Sequence, residues 1–200
     1  MTSIKFRDKH GSISLLLTNL TLFSTRIEIL EMLKQNGIEN VIGLLLEPET
    51  QQRKKLNDLE KTWAICIFLD PTSAQKALSK KNLVPGNAVV SKRVIGYEIP
   101  GYICEKILNH YFPLQWSSEV SFEVLSSIEN APTELAIIVK IFSVSSLIET
   151  YEKTVILSEQ EDSLVDVIKL SCEEARTSAL RNIEIFLEDG QSPQLRNAQS

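Results

Sequence analysis

Two short stretches decide how the first half of this chain folds: LLLTNL at residues 15–20 and KTWAICIF at residues 61–68. Both are apolar runs of strand length, and each is separated from the next pattern by polar residues. The first follows Gly11, and the second follows the basic segment TQQRKKLNDLE. We therefore expect two strands that lie in the middle of one sheet.

The segments around these strands alternate between helical and extended patterns. RIEILEMLKQ has apolar residues at helical spacing, and either Ser24 or Thr25 before it suits an N-cap. ENVIGLLLEPE predicts a strand, PTS opens a second helix over AQKALSKKN, and VPGN turns into a last strand, AVVSKRVIGYEIP. The predicted order is β-α-β-β-α-β, which is the split βαβ plan.

The pattern changes after Pro100-Gly101, which we predict to be the domain boundary. GYICEKILNHYF has helical spacing, and EVSFEVLSSI alternates like a half-buried strand through Val120, Phe122 and Val124. ELAIIVKIFSV and TYEKTVILS predict two more strands. A helical pattern then runs over residues 161–189, and we expect it to be interrupted, or preceded by a loop, near residues 169–171. The predicted order is α-β-β-β-α, followed by a polar tail at residues 190–200 that we expect to be disordered.

The order of the elements indicates an α+β protein with two domains, at residues 10–98 and 102–189, and length and composition are those of a soluble globular protein. The chain has 200 residues, 43% of them hydrophobic, and its apolar runs are far shorter than the roughly 20 residues of a membrane helix. The start of the chain lacks the pattern of a secretory signal, so we expect a cytoplasmic or nuclear protein. The cysteines Cys66, Cys104 and Cys172 are scattered, which favours reduced thiols.

Patterns that mark enzymes, cofactors or metal sites are missing from the sequence. There is no G-x-G-x-x-G, no phosphate-binding GKS or GKT, and no G-x-S-x-G. His10 and His110 are far apart in the chain, and neither has a cysteine at metal-binding spacing. We predict that the protein is not an enzyme and holds neither a cofactor nor a metal.

Charge is distributed unevenly between the two halves. Residues 1–100 carry 14 basic and 10 acidic side chains, a net charge of +4, whereas residues 101–200 carry 7 and 16, a net charge of −9. A polyanion such as nucleic acid is attracted to the first half and repelled by the second.

The first half resembles an RNA-recognition motif over residues 10–98. That family's first-strand hexamer reads aliphatic, aromatic, aliphatic, any, Asn, Leu, and LLLTNL fits it at Leu15, Leu17, Asn19 and Leu20. Its octamer begins with Lys or Arg, has aromatics at positions three and five, and ends with an aromatic. KTWAICIF fits that pattern at Lys61, Trp63, Ala64 and Phe68. The resemblance implies a ferredoxin-like βαββαβ domain that binds single-stranded RNA on its open sheet face.

In that family, unstacked bases lie on aromatic side chains of the open face, and each stack contributes about 1–3 kcal/mol. Alternation along a strand places Leu16, Trp63 and Ile65 on this face, with Ala64 and Cys66 on the helix side. Leu16 and Ile65 replace aromatics, so the resemblance implies weakened RNA binding that depends on one stack.

Basic residues near the sheet would add phosphate contacts. The full set of predicted RNA-contact residues is Trp63, Lys61, Leu16, Ile65, Asn19, Arg53, Lys54, Lys55, Lys92 and Arg93. Each has an alternative interpretation. The loop at residues 53–55 is equally typical of a solvated turn, Trp63 could pack on the C-terminal segment or anchor a protein partner, and Asn19 suits a turn.

Residues 102–189 resemble a divergent double-stranded-RNA-binding domain, of the kind that ends the dead end protein and the APOBEC1 complementation factor. The family's last helix begins with Ser, two lysines, any residue, Ala, Lys and a stretch of small residues. SCEEARTSAL fits this motif at four positions: Ser171, Ala175, Arg176 (for the last Lys) and Ala179.

Cys172 and Glu173 stand where the family has the two lysines that contact duplex phosphates at the start of the helix. A carboxylate there repels the RNA backbone. The resemblance therefore implies a domain that keeps the fold, has lost double-stranded RNA, and contacts a protein partner or a second copy. Weak RNA contact and a spacer that braces the first domain are the alternatives.

Together these expectations describe a small RNA-binding adaptor. By resemblance it would act in a ribonucleoprotein during post-transcriptional regulation, RNA silencing or RNA processing. The competing interpretation is a protein-interaction scaffold in which both domains have lost RNA.

Overall fold

Four helices and eleven strands form in the part of the chain that the computed structural model describes, which is residues 2–7, 11–21, 25–46, 61–80, 82–83, 88–94, 98–126, 132–144, 146–157, 164–188 and 190–198. The helices are α1 (Arg26–Gln35), α2 (Pro71–Ser79), α3 (Gly101–Tyr111) and α4 (Leu164–Arg181). The strands are β1 (Thr2–Lys5), β2 (Ser14–Thr21), β3 (Val41–Leu46), β4 (Lys61–Phe68), β5 (Asn82–Leu83), β6 (Ala88–Arg93), β7 (Trp116–Ser126), β8 (Thr133–Ser143), β9 (Ser146–Leu157), β10 (Ile183–Leu187) and β11 (Gln194–Asn197). All strand pairs are antiparallel, and the predicted α+β class is confirmed.

The first compact unit spans residues 7–98 and contains one five-stranded sheet in the order β3-β4-β2-β6-β5. The two strands that carry LLLTNL and KTWAICIF are neighbours inside this sheet, as predicted. α1 and α2 contribute to a single core with one face of the sheet. Most side chains of that core are aliphatic, and its main members are Leu15, Leu17, Ile29, Leu33, Ala64, Cys66, Phe68, Ala74 and Ala77.

Local signals fix where the two helices of this unit begin. Thr25 is the N-cap of α1: its hydroxyl accepts from the Glu28 backbone N–H at 3.2 Å, and the Glu28 carboxylate accepts from the Thr25 N–H at 2.7 Å. This hydrogen bond from the Thr25 backbone lowers the pKa of Glu28. Asp70 caps α2 by accepting from the Ser73 N–H at 2.8 Å, and Pro71 follows at the first helical position.

The second compact unit consists of residues 2–6 and 99–198 of the described chain. Its larger sheet has the order β7-β8-β9, and α4 packs on β8 and β9 while α3 packs against α4. A smaller sheet, β1-β10-β11, joins the two ends of the chain, with Ile4 opposite Ile185 and Ile185 opposite Leu195. The strand at Thr2–Lys5 was not predicted.

Three expectations for the end of the chain are wrong. The last helix is continuous across residues 169–171 and ends at Arg181, whereas we expected an interruption or a preceding loop there and an end near residue 189. Residues 183–187 form a strand instead of helix, because their backbone pairs with Thr2–Lys5 on one side and with Gln194–Asn197 on the other. The tail is not disordered over β11, because Leu195 is buried against Ile185 in the small sheet.

A buried polar cluster connects β9, the end of α4 and β11. The side-chain amide of Asn182 donates to one Glu149 carboxylate oxygen at 3.4 Å, and the amide of Asn197 donates to the other. The backbone N–H of Ala198 also donates to the carbonyl of Asn182 at 2.7 Å. Glu149 is only 7% exposed, and this burial raises the pKa of its carboxyl group, against the opposing effect of the Asn182 hydrogen bond.

The raised pKa of Glu149 predicts a pH-dependent effect of Glu149→Gln. The folded state holds the Glu149 proton more tightly than the unfolded state, so its destabilising charge is fully present above the folded pKa and is lost as pH falls toward the ordinary value of 4.5. The free energy of unfolding of the wild type should therefore rise relative to Glu149→Gln as pH falls from about 7 to about 4.5. Urea denaturation at several pH values measures this difference. A difference that is constant over this range would contradict the assignment.

Two glycines with the same backbone conformation differ in what surrounds them. Gly11 has φ of +62°, and a Cβ there would lie 2.7 Å from the Val94 carbonyl oxygen; Gly37 has φ of +65°, and a Cβ there would meet only the Lys80 ammonium nitrogen at 3.0 Å. We expect Gly37→Ala to cost about 1–2 kcal/mol, the penalty of the left-handed conformation. Gly11→Ala should cost about 1–3 kcal/mol more, because the Val94 backbone is held by its hydrogen bond to Ser14. Equal losses in chemical denaturation would contradict the close approach at Gly11.

Candidate nucleic-acid interface

The sheet of the first unit has one face packed beneath helices and one face that carries Trp63. Along β4, Ala64, Cys66 and Phe68 are buried in the core with α1 and α2. Since alternate side chains of a strand point to opposite sides, Trp63 and Ile65 lie on the other face. The predicted division of β4 into a core side and an opposite side is therefore present.

Trp63 is the exposed aromatic of this face, with 36% of its surface accessible. It lies opposite an irregularity in β2: Leu17 pairs with Ala64 and Leu20 pairs with Thr62, so that Thr18 and Asn19 together face Trp63. This two-against-one pairing is a β-bulge, a feature that alters the direction of side chains near functional sites.

Asn19 supplies the backbone conformation that the bulge requires. Its φ of 66° lies in the left-handed region, which Asn adopts more readily than most other residues. The hydroxyl of Thr18 donates to the Val89 carbonyl at 3.4 Å and connects the bulge to β6. Asn19 therefore shapes the strand beside Trp63, in line with its alternative interpretation as a turn residue.

Accessibility decreases along the Trp63 face of β4. Ile65 is 8% exposed, between Leu16 of β2 and Leu45 of β3 in the sheet register, and Ile67 is fully buried. Leu16 itself is half-buried. The accessible part of the predicted three-position platform is thus concentrated at Trp63, because aliphatic neighbours occupy the other two positions.

The basic candidates are distributed over different parts of the unit. Arg93 pairs with Leu15, a core-side residue, and its guanidinium donates to Gln75 of α2 at 2.7 Å, so Arg93 lies on the helix side. Lys92 pairs with Leu16 and Lys61 pairs with Thr21, but their side chains, like all of residues 53–55, lie outside the described part of the chain. A role for these residues in RNA contact stays a prediction.

In the second unit, the motif SCEEARTSAL lies in the middle of α4. The helix starts at Leu164, seven residues before Ser171, so the expected placement of Cys172 and Glu173 at a helix start is wrong. The positive end of the helix dipole, which acts only within the first turn, does not reach them. Without the helix dipole, Cys172 presents only a half-buried thiol at the surface, and Glu173 presents an exposed carboxylate.

The small residues of this motif face inward, as the resemblance implied. Ser171, Ala175 and Ala179 are buried, as is Leu180 in the last turn of the helix. The guanidinium of Arg176 forms an ion pair with Glu105 of α3 at 3.2 Å. Arg176 thus helps to connect α3 and α4.

Glu174 neighbours the motif and forms an ion pair with Lys153 of β9. Both side chains line a cleft of about 510 Å³ between α4 and β9, together with Tyr151 and Glu173. The cleft has mixed charge, which does not suit a phosphate backbone. Sequence reasoning missed both the Arg176–Glu105 and the Lys153–Glu174 pairs, because their partners lie on elements distant in the chain.

The thiols of this protein are not in environments that activate them. Burial raises the pKa of Cys66 and of Cys104 to about 12. Burial and the neighbouring Glu173 also raise the pKa of Cys172. Within the described ranges no group of His, Cys, Asp or Glu could hold a metal ion, and no helix there is long and apolar enough to cross a membrane.

Comparisons with known proteins identified no relative of this chain. No family model matches the chain, and neither the curated proteins nor the solved structures contain a match. Membership of the RNA-recognition-motif and double-stranded-RNA-binding families therefore remains a prediction that depends on the residues and topology of the two units.

Proposed function

We propose that the protein is an RNA-binding adaptor. The first unit is a ferredoxin-like RNA-recognition motif that contacts single-stranded RNA weakly, and the second unit is a double-stranded-RNA-binding-like domain that contacts protein. The observation that carries the proposal is the accessible indole of Trp63 on the face of β4 that points away from the core. An indole buried in the core would have left no surface for a base to stack on.

The strand order supports the assignment of the first unit. β2 and β4, which carry the two motif-like stretches, are adjacent in the middle of the sheet, with β3 and β6 outside them. α1 connects β2 to β3, and α2 followed by the short β5 connects β4 to β6, which makes two split βαβ units. A base that stacks on Trp63 would lie beside the bulge at Thr18 and Asn19, and the net charge of +4 in this half would attract its phosphates.

The second unit supports contact with protein better than contact with duplex RNA. Its half of the chain has a net charge of −9, Glu173 is exposed on α4, and Arg176 is paired with Glu105. Duplex binding requires cations that face phosphates across the grooves. We propose that this unit binds a protein partner or a second copy of the chain, and that the adaptor acts without catalysis in post-transcriptional regulation, RNA silencing or RNA processing.

A protein-interaction scaffold without RNA binding is the second candidate. The observation that favours it is the burial of Ile65 and Ile67 beside Trp63, because these two side chains offer a base neither an aromatic ring nor an open surface. In that case Trp63 would contact protein instead of a base.

Replacing Trp63 separates these candidates. We expect Trp63→Ala to weaken binding of an unstructured RNA pool by about 5- to 150-fold, since one base stack contributes about 1–3 kcal/mol. Trp63→Phe should retain most of the affinity because it keeps a ring. Fluorescence-anisotropy titration of the full chain measures the change, and Ile27→Ala on α1, an exposed apolar position away from the sheet, serves as the control.

The same titration at several salt concentrations tests the phosphate interactions. Neutralising Lys54 and Lys55 should reduce the salt slope by about 0.7 for each phosphate that a lysine no longer neutralises on single-stranded RNA. The scaffold predicts no RNA binding at moderate salt and the dissociation of a protein complex in Trp63→Ala. That result would overturn the adaptor.

Restoring the family's lysines tests the assignment of the second unit. The double variant Cys172→Lys, Glu173→Lys changes the local charge by three and should raise affinity for double-stranded RNA by about 1 kcal/mol or more. Glu188→Lys combined with Gln191→Lys changes the charge by the same three units outside α4 and controls for charge alone. Affinity is measured with a duplex of about 16 base pairs, which is the span that such domains contact. An affinity that is unchanged in the double variant would count against the resemblance.

A further inference from the structure

The first strand of the larger sheet in the second unit has an unprotected edge. Among the described strands, β7 pairs only with β8, so one side of its 11-residue backbone is open. Edge strands of soluble proteins are usually protected by Pro, Lys or a charge that points inward. β7 contains neither Pro nor Lys, and its charged residues, Glu119 and Glu123, are on the face that points away from α4. Before the irregularity at Leu125, β7 therefore has no Pro, Lys or inward-pointing charge to prevent the addition of another strand.

The face of β7 that continues the packed side of the sheet is apolar and uncovered. The exposed fractions of Val120, Phe122 and Val124 are 38%, 52% and 60%. Their cross-strand partners on β8 are buried beneath the helix: Val139, Ile137 and Leu135. α4 packs on β8 and β9 and barely reaches β7. β7, which was predicted to be half-buried, thus has three exposed apolar side chains next to one another on one face.

We propose that a second copy of this chain covers this edge, with the two β7 strands antiparallel and Phe122 opposite Phe122 of the partner copy. The two three-stranded sheets would then form one six-stranded sheet around a twofold axis. The inference rests on the proposed role of the second unit in protein contact, and it names both the partner and the surface.

Charge selects this register from the alternatives. A symmetric antiparallel pair must place one residue opposite itself, and each further pair is displaced equally to both sides. Centring on Ser121 places Glu119 opposite Glu123 of the partner, and centring on either glutamate places that carboxylate opposite its own copy. Like charges directly opposite each other are destabilising. Three of the central positions are therefore disfavoured.

Apolar matching selects among the remaining positions. Centring on Val120 places Phe122 opposite Ser118 of the partner, and centring on Val124 places it opposite Ser126, so in both cases this aromatic side chain faces a hydroxyl. Centring on Phe122 places Val120 opposite Val124 and Glu123 opposite Ser121, so apolar residues meet apolar residues and the carboxylates are separated. Aromatic and β-branched pairs of this kind stabilise antiparallel sheets.

Site-specific disulfide formation tests the pairing and its register in the full chain. In a Cys172→Ser background, Phe122→Cys should form a disulfide-linked dimer under mild oxidation, since directly opposite Cα atoms lie about 4.5–5.5 Å apart, within disulfide range. Ser121→Cys, one residue away and also exposed, should stay monomeric on the same non-reducing gel, because two residues 121 would lie beyond about 7 Å. Crosslinking through residue 121 but not 122 would overturn the register.

Charge variants test the same interface without cysteine chemistry. Sedimentation velocity of the wild type should detect dimer at about 10–100 µM, the range expected for a small interface. Val120→Lys with Val124→Lys should abolish it, whereas Val120→Lys with Val124→Glu should restore it, because the lysine then faces the partner's glutamate. Both positions are exposed, and circular dichroism verifies that the variants fold. A wild type that is monomeric throughout this range would overturn the dimer.

The RNA titration of Trp63→Ala distinguishes failure of this inference from failure of the proposed function. A monomeric protein whose RNA affinity still depends on Trp63 keeps the adaptor and excludes only the pairing of β7. A dimer without RNA binding keeps the β7 pairing and favours the scaffold.

Discussion

The two-residue period of β4 is the constraint on which the first unit depends. Ala64, Cys66 and Phe68 must all lie in the core with α1 and α2, and a slip of one residue would place the indole of Trp63 in that core and turn the ring of Phe68 to the opposite face. The small side chains of Ala64 and Cys66 leave room for the helices, while Phe68 fills the end of the core. The accessible tryptophan is a consequence of this packing, and the bulge at Asn19 then determines what lies beside it.

An element of this fold could be predicted from the sequence where the residues that determine it lie within or next to that element. α1 was predictable because its start, the Thr25–Glu28 capping box, and its end at Gly37 are both local. β10 was not, because IEIFL continues an apolar helical pattern. Its identity as a strand depends on pairing with Thr2–Lys5 at the other end of the chain. The same is true of β11, where one buried residue, Leu195, orders a polar segment.

The candidate site shows the same division between local and distant causes. The side of the sheet on which Trp63 lies could be predicted from alternation alone. The bulge opposite it, the hydrogen bond of Arg93 to Gln75 and the burial of Ile65 depend on neighbouring strands and helices. A motif comparison treats Lys92 and Arg93 as one basic pair, but consecutive residues in a strand belong to opposite faces. The register across strands is therefore needed before basic residues are counted as a single patch.

The opposite net charges of the two halves of the chain favour different partners, and the negative charge of the second half bears directly on what can bind the edge of β7. An anionic domain repels nucleic acid and, at long range, other copies of itself, so association must come from short-range apolar contact. Val120, Phe122 and Val124 provide that contact, and Glu119 and Glu123 on the other face of the same strand make most misaligned pairings unfavourable. Repulsion between carboxylates thus restricts which strands can be added, while the apolar face supplies the attraction. Because both properties belong to one strand, the sequence SSEVSFEV determines the partner and the register together.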